Sequence, residues 1–97
     1  MNMQNLMAQA KKMQNDLNKL TKELDEKVYE ENSGPIELKI SGKRQIVELK
    51  ITDDGVLEDK EMLEDLLTTI INKVLTKIES ERESKLGQYT GGMGGLF

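Results

Sequence analysis

The sequence predicts an α+β fold: a long helix, a three-stranded antiparallel sheet and a second long helix. Three observations predict it. Met3, Leu6, Ala10, Met13, Leu17, Leu20 and Leu24 repeat at 3-4 spacing, which keeps one narrow apolar seam on a helix. Ile36, Leu38 and Ile40 alternate with Glu37, Lys39 and Ser41, and Val47, Leu49 and Ile51 continue that period of two, as half-buried strands do. Leu63, Leu66, Leu67, Ile70, Ile71, Val74, Leu75 and Ile78 then form a broader stripe at helical spacing.

Each element has its own signals. The first helix is expected from about Gln4 to Lys27, with no Gly or Pro inside and many good helix formers. Val28 and Tyr29 start a short strand that ends at the turn signal Asn32-Ser33-Gly34-Pro35. Ser41-Gly42-Lys43 predicts a tight hairpin connection, with Gly42 taking positive φ. Residues 44–51 form the last strand, with Ile46 out of pattern on the polar side. Asp53-Asp54-Gly55 ends it, and Asp59 is placed to cap the second helix, with Glu58 and Glu61 near its positive end. Gly87 is the expected stop. Residues 1–87 thus read as one domain and 88–97 as a flexible Gly-rich tail, with five glycines between Gly87 and Phe97.

Composition excludes several function classes. The 97 residues contain no cysteine, so disulfide scaffolds and thiolate metal sites are out and a reducing cytoplasm fits. They contain no histidine either, which removes the commonest general base and metal ligand. The serines therefore lack an activating partner, and no catalytic residue is assigned. Asp54-Gly55 with Glu61 has part of the spacing of a calcium loop, but its first ligand position would be Lys50, so it reads as a turn. Gly91-Gly92-Met93-Gly94-Gly95 follows a helix and lacks the strand–turn–helix setting of a phosphate loop. No metal, cofactor or small-molecule substrate is expected. No apolar run is long enough for a bilayer.

Charge supplies the positive reading. The net charge is −4, yet residues 1–22 hold four lysines against one acid, a local +3. Lys11, Asn15, Lys19 and Lys22 form a stripe opposite the apolar seam, with Lys12 beside it. Lysines and amides in that mixture suit phosphates without strong sequence commitment. Lys73 and Lys77, one turn apart on the second helix, extend the candidate DNA-contact set. Met13, Leu17 and Leu20 are expected to pack rather than to bind ligand. Two helices of about 36 and 40 Å with three short strands cannot bury both stripes within one chain, so a homodimer is expected.

Several segments carry a resemblance. Asn5-Leu6-Met7-Ala8-Gln9-Ala10-Lys11-Lys12-Met13-Gln14 resembles the opening helix of the YbaB/EbfC family of bacterial nucleoid-associated proteins. Leu38-Lys39-Ile40-Ser41-Gly42 and Val47-Glu48-Leu49-Lys50-Ile51 are similar to its sheet, and Leu57 through Leu66 to its most recognisable stretch. Asn72 sits where the family's last helix tends to carry an Asn, flanked here by bulkier Ile70, Ile71 and Val74. The Gly-rich tail also fits, without the family's frequent proline. The resemblance implies an intertwined, tweezer-like homodimer that grips double-stranded DNA in the cytoplasmic nucleoid. A prefoldin-like chaperone and a partner-binding adaptor are the alternatives. A chaperone of that kind would pair its two helices along matched seams, which the wider second stripe does not match.

Overall fold

Residues 2–90 are described by the computed structural model, the last two by their backbone alone. The chain runs through helix α1 (Met3–Glu26), strands β1 (Val28–Ser33), β2 (Ile36–Ser41) and β3 (Ile46–Ile51), a 3-10 helix (Asp54–Glu58) and helix α2 (Lys60–Thr90). The strands form an antiparallel sheet in the order β1-β2-β3.

Helix α1 begins where Asn2 Oδ1 accepts the Gln4 N–H at 2.9 Å. It ends at Lys27, whose backbone is extended while its N–H still donates to the Glu23 carbonyl. Gly34, at φ +55°, and Pro35 form the two-residue turn from β1 to β2. Asp59 caps α2 as expected, its Oδ1 accepting the Met62 N–H at 3.1 Å.

The core lies between α2 and the sheet. Ile36, Leu38 and Ile40 of β2 are fully buried, as are Ile70, Val74 and Ile78 of α2, and Tyr29 of β1 joins them. Burying each aliphatic chain contributes roughly 1.5–3 kcal/mol. Buried Val56 places the 3-10 helix, and buried Leu24 the last turn of α1, against this body.

Four sequence expectations need correction. Gly42 does not supply the positive φ of the second hairpin; Arg44 does, at +66°. Ser41 N–H donates to the Gln45 carbonyl and Arg44 N–H to the Ser41 carbonyl, so the loop has three residues and its left-handed position falls on the third. Glycine is required at 42 for another reason. Its N–H donates to the Lys27 carbonyl at 2.9 Å, and a Cβ there would collide with the Leu24 carbonyl, 2.7 Å from its carbon. Second, an irregularity in β3 sets Ile46 opposite Ile40, on the face it shares with the core, and makes Val47 the extra residue. Third, Gly87 does not stop α2, which continues to Thr90. A single helical glycine costs only about 1 kcal/mol relative to alanine. Residues 91–97, the rest of the expected tail, lie outside the described residues. Fourth, the α1 seam packs only at its end. Leu24 is buried and Leu17 and Leu20 are half-buried, but Met13 is 46% exposed, and residues 2–16 are exposed throughout.

Candidate nucleic-acid interface

The first half of α1 is therefore an arm. Residues 3–16 span roughly 21 Å of helix, and α1 meets α2 near its own C-terminus, through Asp25–Arg82 at 2.7 Å and Lys27–Glu81 at 2.6 Å just beyond it. Lys11, Lys12, Asn15, Lys19 and Lys22 are all exposed on α1. At 100° per residue they occupy a sector about 100° wide, centred opposite the apolar seam. From Lys11 to Lys22 the stripe runs about 16 Å, close to five base-pair steps of 3.4 Å.

Among the described residues, the body pairs eight of its ten cations, all but Lys43 and Lys85. Lys39 and Lys50 both reach Glu48, at 3.2 and 3.3 Å. Lys60 lies 3.9 Å from Glu64, and Arg44 pairs with Glu79. Lys73 lies 3.2 Å from Glu31 Oε1, and Lys77 binds Glu31 Oε2. Two hydrogen-bonding lysines, Lys77 first, hold the Glu31 carboxyl below the usual glutamate range. Lys27 does the same to Glu81. By contrast, among the described residues, Lys11, Lys12, Lys19 and Lys22 have no carboxylate within 4 Å. Asp16 shares their helix without pairing to any of them. The α1 stripe is thus an uncompensated cationic line.

The predicted contact residues fall into two groups. Five stand free on α1, and the structure brings them together. Lys73 and Lys77 stand on α2, engaged by Glu31, in a separate position beside β1. Glu31's part was not legible from its position in the chain. It lies in a run of acids at residues 23–31, and only the β1–β2 register, which sets it opposite Leu38, carries its carboxylate to the core side of the sheet.

A second surface lies along β3, where the sequence already set Ile46 apart. Helix α2 packs on β1 and β2, leaving Ile46, Val47, Leu49 and Ile51 of β3 at 54, 58, 44 and 37% exposure. Half-buried Ile71 and Leu75 lie on the flank of α2 that carries Glu79, the partner of Arg44 in the β2–β3 loop. Together with β3 they make an apolar edge.

The sequence model of the YbaB/EbfC DNA-binding family matches residues 1–93. The chain belongs to that family. It is 40% identical over 98 residues to a nucleoid-associated protein of Ruminiclostridium cellulolyticum, covering 98% of this chain and 85% of the relative. It is 42% identical over 100 residues to one of Clostridium botulinum, covering 99% and 88%. The relative in Enterococcus faecalis, also a nucleoid-associated protein, is 40% identical, with 98% and 94% covered. An uncharacterised Helicobacter pylori protein of known crystal structure shares the fold, with a TM-score of 0.76 and 23% identity over 91% of this chain and 96% of its own.

Proposed function

We propose that this YbaB/EbfC-family protein is a nucleoid-associated protein that binds double-stranded DNA as a homodimer, with little sequence preference, through the lysine stripe of α1. The partition of charge carries this reading. A body that pairs eight of its ten lysines and arginines with its own acids offers a polyanion little, whereas four unpaired lysines along α1, two of them on the projecting arm, offer a ready phosphate contact. Duplex suits the site better than single strands. Base stacking draws on aromatics, and the α1 sequence carries none. A straight helix carrying lysines and an asparagine contacts backbone and reads few bases, so specificity is low. No residue is assigned a catalytic role.

The apolar edge of β3 and α2 supports the homodimer. An edge strand with four exposed aliphatic side chains invites association unless covered. A second copy related by a two-fold axis covers it with the same surface. It also doubles the lysines available to one duplex. The chaperone alternative asks the helices to pair along their length, but α2 spends Ile70 through Ile78 on the sheet.

Two measurements test this reading. Gel retardation of a random duplex should show binding at low salt that falls steeply toward physiological salt, each neutralised phosphate adding roughly 0.9 to the log–log slope. No binding at low salt would overturn the function. Light scattering at micromolar concentration should return twice the 11.0 kDa chain mass; the monomer mass would overturn the dimer.

A further inference from the structure

Beside β1, α2 carries an open groove of about 930 Å³, mostly apolar in lining, bordered by Thr69, Asn72, Lys73, Thr76, Lys77 and Ser80, with Glu81 at one end. Hydroxyls, an amide and two ammonium groups on one helix face are the donors that contact DNA backbones. Tyr29 borders the same groove, its Oη buried and without a formed hydrogen bond although Glu81 lies near it. The charge of the two lysines is already partly met, because each takes one oxygen of Glu31. The Glu31 side chain is only 16% exposed, while Lys73 and Lys77 remain 61% and 49% exposed.

We propose that Glu31 is an internal substitute for a DNA phosphate, occupying a second backbone-binding groove on α2 until DNA displaces it. The chemistry matches. A carboxylate and a phosphodiester each carry one negative charge over two oxygens, and both oxygens of Glu31 are in use. The ammonium ends of these pairs lie in solvent, where ion pairs contribute little each, so a duplex already held by α1 can compete for the two lysines. The α1 stripe then gives first contact, and the α2 groove engages only when the duplex lies close. This rests on the DNA-binding reading above.

The test compares three full-length variants on a random duplex across a salt series, with thermal melts to check the fold. Glu31→Gln frees both lysines. Glu30→Gln makes the same charge change on the neighbouring exposed residue. Glu31→Asp keeps the charge but shortens the reach, so both lysines cannot be held. Glu31→Gln should bind several-fold more tightly than Glu30→Gln, with a slope steeper by roughly 0.9–1.8 per protomer engaged. Glu31→Asp should also tighten binding, by less, with no change in net charge. Adding Lys73→Gln and Lys77→Gln to Glu31→Gln should cancel the gain, and DNA should protect both lysines from amine acylation more fully in Glu31→Gln than in the parent. Equal affinity and slope for Glu31→Gln and Glu30→Gln, with a binding parent, would overturn this inference alone. No binding by the parent or any variant at low salt would overturn the DNA reading and this inference with it.

Discussion

Reversing Lys11 and Lys19 to glutamate should lower affinity for a random duplex by roughly three to four orders of magnitude near 0.1 M salt. Both side chains are exposed and unpaired, so their removal breaks no internal contact. In a dimer the double reversal alters four positions. At roughly 0.9 per phosphate, losing four contacts takes about 3.6 from the salt slope, and each lost contact is worth about a factor of ten at that salt. The loss should be nearly equal for all sequences, because phosphate contacts carry little sequence information. Thermal melting should be unchanged. The same reversal at Lys50 and Lys60, both paired within the body, applies an equal charge change and should weaken binding far less. Retention by the Lys11/Lys19 variant with an unaltered slope would place the DNA on another surface.

Gly42→Ala should destabilise the fold by about 2–4 kcal/mol, the range for forced backbone movement in a packed region. The collision is with backbone, so no rotamer change relieves it. Either the Leu24 carbonyl moves, disturbing the last turn of α1, or the hairpin withdraws and loses the bond from Gly42 N–H to the Lys27 carbonyl. Gly34→Ala provides the comparison. Gly34 has positive φ but nothing within 4 Å of its would-be Cβ, so its cost is conformational alone, about 1 kcal/mol. Denaturant melts at one fixed protomer concentration, needed because dimerisation shifts apparent stability, should separate the two variants by more than 1 kcal/mol. Equal midpoints would mean that α1 and the hairpin do not meet as described.

These two glycines show what periodicity could and could not give. Helix, strand and cap positions were legible because burial imposes a period on the chain: β2 was placed to the residue, and Asp59 caps α2 where its acid pattern put it. The turn at Gly34 was legible because Gly-Pro fixes local dihedrals. Gly42 was legible as a glycine but not for its cause, which is the approach of an element 18 residues earlier. Register was the main loss. Ile46 was put on the wrong face because an extra residue in a strand leaves the hydrophobic pattern ambiguous by one position. For the binding surface, the α1 stripe was readable because all its members sit on one helix. The pairing of Lys73 and Lys77 with Glu31 was not, since it joins residues more than 40 positions apart through the sheet.

The contrast between the unpaired lysines of α1 and a largely paired body also bears on how the molecule finds its target. Residues 1–22 carry +3, so the other 75 residues carry −7, which brings the whole to −4. The described chain is 69 Å along its longest axis, while charges in physiological salt feel one another over only about 8 Å. A duplex lying along α1 at Lys11 and Lys12 therefore meets cations first, and most of the acidic body is screened from it. The same acid repels the duplex from any other approach. The molecule thus carries an electric moment that turns it arm-first during encounter, so its net negative charge filters collisions by orientation instead of forbidding association.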